Sequence, residues 1–222
     1  MHSRDHSTHV TDERINTVTS IIGSILAIFG ASVLLSMAAG RQSWLIYSGL
    51  IVYCAGLINL FIMSSLHHGL RASDRAQHVF RTLDYTAIFW LIAGTVTPLI
   101  LIAYPTRVGY AILVASWVIA AAGIALRASL PTLDKHINNT FFITLGWLPA
   151  LVVVSDPTRV LLPELVLLIL GGAIYSLGFW IYVSEKPNLR PGTFGFHELW
   201  HCHVVVAASL HWLLIYRLST HY

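Results

Sequence analysis

Long apolar runs, separated by short segments that carry the charges, form the main pattern along this chain. A helix that crosses a lipid bilayer needs about 20 predominantly apolar residues. The pattern therefore predicts an all-α polytopic membrane protein, with a polar tail over 1–16 and a seven-helix transmembrane bundle over 17–222. The seven stretches without a charged residue are 17–39, 44–66, 85–106, 108–126, 137–154, 165–183 and 199–216.

The fifth of these stretches is the weakest. Asn138 and Asn139 open it and Pro149 interrupts it. A proline inside a helix removes one backbone hydrogen bond and clashes with the preceding turn. Pro98 lies within the third stretch, so we expect a kink in that helix as well.

The composition excludes several classes of protein. Hydrophobic residues make up 56% of the chain and charged residues 10%, whereas a soluble domain carries about 25% charged residues. A water-soluble globule and a disordered chain are therefore excluded. The 13 Lys and Arg residues are spread between apolar runs, which argues against nucleic-acid binding. Cys54 and Cys202 lie in apolar surroundings and offer no disulfide framework.

The distribution of Lys and Arg in the short loops predicts how the bundle is oriented, because cytoplasmic loops are enriched in these residues. Nine fall on the side of the N-terminus and four on the opposite side. We therefore expect a cytoplasmic N-terminus and an outside C-terminus. For the protein as a whole we expect insertion in the plasma (inner) membrane. The nine are Arg4, Arg14, Arg71, Arg75, Arg81, Arg127, Lys135, Lys186 and Arg190.

Polar and ionisable residues stand at the ends of three predicted helices, where each is by default a functional candidate. Ser64 and His68 are four residues apart at the end of the second helix. His197 and His201 show the same spacing at the start of the seventh. Residues four apart share a helical face. Asp84 opens the third helix, and the predicted topology places all five residues at the cytoplasmic end, where three imidazoles and a carboxylate can meet.

This set of side chains is typical of a zinc site. Three neutral imidazoles and a water molecule form a common catalytic zinc shell, and zinc lowers the pKa of the water that it holds to about 7. Asp84 could orient that water and take its proton. The Ser64 hydroxyl could hydrogen-bond the water or a substrate carbonyl.

Simpler interpretations remain open for the residues taken singly. Asp84 could form an interfacial ion pair with Arg81. Ser64 could satisfy a backbone carbonyl within its own helix. An isolated interfacial histidine such as His67 or His78 is expected to be solvated.

His197 to His201 also spells the sequence H-E-x-x-H, which in zinc proteases supplies two ligands and a glutamate base. A rival hypothesis is therefore an intramembrane zinc protease that uses Glu198. Glu198 lies about 100° around the helix from His197, so we expect it to face lipid headgroups or the cytoplasm. The rival also leaves His68 without a role, and it ranks below the three-histidine site.

Taken together, three motifs resemble the signature of the hemolysin III proteins. They are Ser64-x-x-x-His68, Asp84 with the following Tyr85-Thr86-Ala87-Ile88-Phe89, and His197-x-x-x-His201. Those proteins belong with the adiponectin and progestin receptors in the PAQR group, within a wider superfamily that includes alkaline ceramidases. The resemblance runs from about residue 12 to residue 211.

The resemblance implies seven helices, a cytoplasmic N-terminus and a zinc ion. It implies His68, His197 and His201 as the zinc ligands, with Asp84 and Ser64 contacting water at the metal. Relatives often begin the first helix with a Glu, an Asn and then a His. Here Glu13 and Asn16 fit that pattern, whereas Ser20 stands at the position of the histidine.

The leading functional hypothesis is a zinc-dependent hydrolase that cleaves an acyl bond, an amide by the resemblance, in a membrane lipid or other fatty-acyl substrate. A second hypothesis is a sensor or regulator without turnover, in which zinc is structural. A third is a cytolytic, hemolysin-like protein. The apolar character of the helices argues mildly against the third, because it does not suggest the lining of a wide channel.

Overall fold

The computed structural model describes residues 12–130 and 135–221. All regular structure in these two segments is helical, and seven spans are long and apolar enough to cross a membrane. This confirms the predicted all-α, seven-span fold, while the orientation in the membrane stays a prediction. The α-helices are α1 (Glu13–Ala38), α2 (Trp44–Gly69), α3 (Asp74–Ala103), α4 (Arg107–Ser129), α5 (Lys135–Trp147), α6 (Ala150–Ser155), α7 (Leu162–Ser184) and α8 (Phe196–His221).

The first four helices begin where the sequence offers a capping side chain. A hydroxyl or carboxylate that precedes a helix can accept a hydrogen bond from the first turn, where backbone N–H groups lack partners. This explains why α1 starts at Glu13, within the predicted polar tail, of which 1–11 lie outside the described residues. The capping residues are Asp12 for α1, Ser43 for α2, Ser73 for α3 and Thr106 for α4.

The two prolines within the spans occupy different places in their helices. Pro149 separates α5, which ends at Trp147, from the short α6, and the two together form the fifth span, His136–Ser155. The predicted interruption is therefore confirmed. Pro98 lies inside α3, which is one helix from Asp74 to Ala103, and the kink expected there stays a prediction.

Packing brings α1, α2, α3 and α8 together around one interior. α8 contacts α1 and α3, and α2 packs between α1 and α3. α8 also contacts α7. Buried apolar side chains such as Leu34, Leu50, Ile100 and Ile215 fill this interior. The outer faces are apolar too, and Phe29 is 68% exposed. An apolar interior and an apolar exterior together suit a bundle in lipid, and the polar exceptions gather at the junction of α1, α2, α3 and α8.

We predict that Gly109→Ala destabilises the bundle by about 1–3 kcal/mol, because a methyl group there would overlap the backbone carbonyl of Tyr104 and force the backbone to move. Gly172→Ala is the matched control, since no atom lies within 4 Å of the added methyl. There we expect up to about 1 kcal/mol of stabilisation from helix propensity. Thermal unfolding of the purified proteins in detergent measures both, and equal midpoints for the two variants would contradict the assigned packing.

Candidate metal centre

Three imidazole rings converge at one end of the bundle. His68 lies in the last turn of α2, and His197 and His201 lie in the first two turns of α8. The ring centres are 5.2 Å apart for His68 and His197, 4.8 Å for His68 and His201, and 5.1 Å for His197 and His201. One nitrogen from each ring lies within 4.8 Å of the others, so the cluster could hold a metal ion.

The spacing of the rings fits a single tetrahedral ion. At a metal–nitrogen distance of about 2.0–2.1 Å, each ring centre lies roughly 3.2 Å from the metal, so tetrahedral angles place ring centres about 5.2 Å apart. The three observed separations lie between 4.8 and 5.2 Å. His68 and His197 are buried and His201 is partly buried. The donor set and its geometry therefore match a three-histidine metal site.

A carboxylate from α1 orients His68. Glu13 Oε2 lies 2.6 Å from Nδ1 of His68. When Nδ1 is protonated, it donates a hydrogen bond to Glu13. Nε2 is then unprotonated and presents its lone pair as a ligand. Such carboxylate–histidine pairs commonly fix the ring of a metal-binding histidine and make it more basic.

Ser20 has the corresponding place beside His201. Its hydroxyl lies 3.2 Å from Nδ1 of His201 and 3.0 Å from the hydroxyl of Ser64, and both serines are buried. The residue that departs from the pattern of the relatives is therefore in direct contact with the cluster. The sequence showed the substitution at this position, but only the packing of α1 against α8 shows what the serine touches.

Asp84 completes a chain of polar side chains across the bundle. Its carboxyl group lies beside Ser64 and interacts electrostatically with His197. It also lies within 4.8 Å of nitrogen atoms of His67 and His68. The structure thus brings Ser64, Asp84 and the three histidines together at one depth, as the sequence predicted.

His67 differs from the sequence-based expectation. It was expected to be solvated, but only 2% of the residue is exposed. The side-chain amide of Gln77 in α3 donates a 2.7 Å hydrogen bond to the His67 carbonyl and lies 3.3 Å from its Nδ1. With His68 and Asp84 it forms a second group that could hold a metal ion, next to the three-histidine cluster.

Glu198 also differs from expectation, because it faces the interior rather than headgroups or cytoplasm. Only 1% of the residue is exposed. Its Oε2 accepts a 2.8 Å hydrogen bond from the N–H of Gly195, the residue before α8, and its Oε1 accepts a 2.7 Å bond from the N–H of Asp12, the residue before α1. The first contact is that of a capping-box glutamate, and negative charge is stabilised at the N-terminal ends of two helices.

Two tyrosines and an arginine extend from the cluster toward α3, α4 and α7. The Tyr182 ring lies 5.8 Å from that of His197, and its hydroxyl is 2.7 Å from that of Tyr85. The guanidinium of Arg127 stacks over the Tyr85 ring at 4.6 Å. Tyr85 follows Asp84 in the second motif. Arg127 and Tyr182 could not be assigned to the site from the sequence, because they lie on α4 and α7 and share no spacing with the histidines.

Comparison with known proteins places this chain in a family. The profile of the haemolysin-III related family matches residues 8–212, so the chain belongs to that family, as the three motifs predicted. It is 27% identical to Hemolysin-3 of Bacillus cereus, over 95% of this chain and 94% of that protein. Identity to the Hemolysin-3 homolog of Bacillus subtilis is 28%, over 88% and 89% of the two chains.

The similarity extends beyond bacteria. Monocyte to macrophage differentiation factor of Homo sapiens is 29% identical over 76% of this chain and 71% of that protein. Together with the seven spans, the family membership identifies the chain as a multi-pass membrane protein of hemolysin III type.

We predict that Glu198→Ala destabilises the protein by about 2 kcal/mol or more, because two backbone N–H groups lose their buried acceptor. The metal content of the folded fraction should be unchanged. Asp74→Ala is the control, since this carboxylate also lies in the first turn of a helix but is exposed, and its loss should cost only a few tenths of a kcal/mol. Thermal unfolding and metal analysis measure both effects.

A peptide-cleaving activity that disappears in Glu198→Gln without loss of stability would instead support the protease hypothesis.

Proposed function

We propose that this protein is a zinc-dependent hydrolase that cleaves an acyl bond, an amide by family resemblance, in a membrane lipid. The observation that carries the proposal is the convergence of three imidazoles from α2 and α8 beside the Asp84–Ser64 pair. Metal ligands and a nearby proton-accepting carboxylate are the groups that metal-assisted hydrolysis requires.

His68, His197 and His201 would hold the ion. Imidazole suits zinc as well as copper, iron and nickel, and three histidines are a ligand set that catalytic zinc sites use. When bound there, zinc supplies Lewis acidity, which polarises a carbonyl oxygen and acidifies water. Glu13 and Ser20 orient two of the three rings through their Nδ1 atoms.

Asp84 would accept a proton, and Ser64 would donate a hydrogen bond to water or to the substrate. The carboxylate of Asp84 accepts a proton from the attacking water, and its position beside His197 keeps that proton near the cluster. The Ser64 hydroxyl, held between Asp84 and Ser20, donates a hydrogen bond to water or to the substrate carbonyl. The surrounding apolar helices exclude bulk water from these groups, which strengthens each electrostatic interaction.

We further propose that this end of the bundle faces the cytoplasm and that the protein resides in the plasma (inner) membrane. The support is the excess of Lys and Arg in the loops on the same side as the cluster, since cytoplasmic loops are enriched in these residues. The substrate bond would then lie near the inner-leaflet interface.

We expect about one zinc per chain in the purified protein. Removing a ligand in His68→Ala or His201→Ala should abolish stoichiometric zinc, and Glu13→Gln should weaken zinc affinity about 10–100-fold because the ring loses its orienting carboxylate. His78→Ala is the matched control, since His78 lies near Thr82 of the same helix, outside the cluster. Metal analysis and competition with a chelator test this. Full zinc retention in both histidine variants would overturn the ligand assignment.

We expect Asp84→Asn to keep zinc but to release fatty acid from lipid amides about a hundredfold or more slowly, because the proton acceptor is lost. Asp156→Asn is the control, since Asp156 pairs with Arg159 in an exposed loop before α7. Fatty-acid release from a mixed panel of lipid amides in reconstituted membranes is the measurement. A wild-type protein that holds zinc and releases nothing would favour the sensor hypothesis over the hydrolase.

A further inference from the structure

A cation lies buried near the candidate metal centre, and no carboxylate of the described residues pairs with it. Arg127, in the last turn of α4, is 5% exposed. Its Nε atom is buried and has no hydrogen-bond partner among those residues. A charged side chain that does interact with it is another cation, Arg81 of α3. Buried charges in proteins are normally paired, because taking them out of water is costly.

The packing of α4 on α3 fixes the direction of Arg127. The buried face of α4 ends with Gly123 and Arg127, which are about one turn apart. The Phe89 ring lies so close to Gly123 that a methyl group there would overlap it. One turn nearer the end of the bundle, the guanidinium of Arg127 stacks over Tyr85, which precedes Phe89 by four residues. The arginine is therefore held inside the bundle, whereas arginines near the end of a span commonly extend to the interface.

The contact with Tyr85 leaves the hydrogen-bonding edge of Arg127 without an acceptor. Stacking over a ring uses the flat face of a guanidinium, whereas its five N–H donors point outward in the plane. Two neighbouring donors of this edge match two oxygens of one oxyanion, such as a phosphate. An oxyanion in the plane of the Arg127 guanidinium would therefore supply both the missing acceptor and the missing negative charge.

A second buried polar side chain lies at the same level. Asn138, in the first turn of α5, is 2% exposed, and its Oδ1 has no hydrogen-bond partner among the described residues. It precedes Phe142 by four residues, and the Phe142 ring packs against the rings of Phe89 and Tyr85. Asn138 thus lies on the face of α5 that turns toward α3, one turn nearer the end of the bundle and level with Tyr85. Rotation of its amide by 180° presents N–H donors in place of the oxygen.

We propose that Arg127, with Asn138 as a second donor, binds a phosphate group where α3, α4 and α5 meet. Arg127 lies two residues before the end of α4, about 3 Å along the helix axis. This is the level at which the hydrocarbon of a bilayer gives way to the headgroups, which supply phosphate. The ligand is the phosphate of a lipid headgroup or free phosphate, and both present the same oxygens to the guanidinium. The site does not depend on the proposed hydrolase.

Thermal unfolding of the full chain in a neutral detergent provides the first test. One arm adds dioleoyl phosphatidylglycerol, with dioleoylglycerol, which lacks the phosphate, as its reference. The other adds inorganic phosphate, with potassium chloride of equal ionic strength as its reference. At a hundredfold excess over Kd we expect the unfolding midpoint to rise by about 5 °C or more. A rise with phosphatidylglycerol alone identifies a lipid headgroup, and a rise with inorganic phosphate identifies the free anion. No rise above the reference in either arm would overturn the proposal.

Variants of Arg127 provide the second test. Arg127→Met removes the charge and all N–H donors of the side chain, and it should abolish the rise. Arg127→Lys keeps the charge but loses the planar pair of donors, and it should weaken binding about tenfold. Arg75→Met is the matched control, since Arg75 is exposed near the start of α3 at the same end of the bundle, and it should leave the rise unchanged. Equal rises in Arg127→Met and the wild type would contradict the assigned site.

The stability of Arg127→Met without added anion distinguishes a ligand site from an ion pair within the chain. Replacing an unpaired buried charge by an apolar side chain should leave the unfolding midpoint within a few degrees of the wild type, or raise it. Removing one partner of a buried ion pair should instead lower the midpoint by about 10 °C. Such a fall would show that Arg127 has a partner in the chain, and the proposal would be wrong.

His68→Ala separates this inference from the proposed hydrolase. The variant should lose zinc and fatty-acid release but keep the rise with added anion, because the Tyr85 and Tyr182 side chains lie between Arg127 and the histidines. A rise in a wild-type protein that releases no fatty acid would refute the proposed enzyme alone. Fatty-acid release without any rise would refute the phosphate site alone.

Discussion

The cluster depends on the packing of α1 against α8, and the carboxylate of Glu198 stabilises this packing where the N-terminal ends of the two helices meet. Backbone N–H groups in the first turn of a helix have no partner within the helix, and leaving them buried without an acceptor is costly. One carboxylate accepts from the N–H groups that precede both helices. α1 is thereby held against α8 at the level of the histidines.

The position of α1 then determines the surroundings of two histidines. Glu13, in its first turn, reaches His68, and Ser20, two turns further on, reaches His201 and Ser64. Each contact satisfies a buried polar atom with another, which is how a bundle of apolar helices can hold imidazoles and carboxylates at all. The same face of α1 continues as Gly23, Ala27 and Gly30, which together with residues of α2 and α8 line an apolar cavity of about 150 Å³. Polar cluster and apolar cavity are thus successive segments of one interface.

This division is consistent with the proposed lipid substrate. A lipid has a polar bond region and an apolar chain, and α1, α2 and α8 present a polar cluster followed, about one turn along each helix, by an apolar cavity. Family membership is consistent with a membrane role and extends over residues 8–212. The H-E-x-x-H sequence in α8, in contrast, gains no support as a protease motif. Both carboxylate oxygens of Glu198 accept hydrogen bonds from backbone N–H groups at the ends of α1 and α8.

The sequence by itself determined the seven spans and the meeting of His68, His197 and His201, because hydrophobic length and four-residue spacing are local properties and helix topology sets the depth of each end. Pro149 as an interruption followed from the same local chemistry. Only the tertiary structure decided the directions of Glu198 and His67, the contacts of Glu13 and Ser20, and the cavity below them. These depend on how each helix is rotated and which helix it packs against, and in a bundle that is apolar both inside and outside, hydrophobic patterning carries little information about rotation.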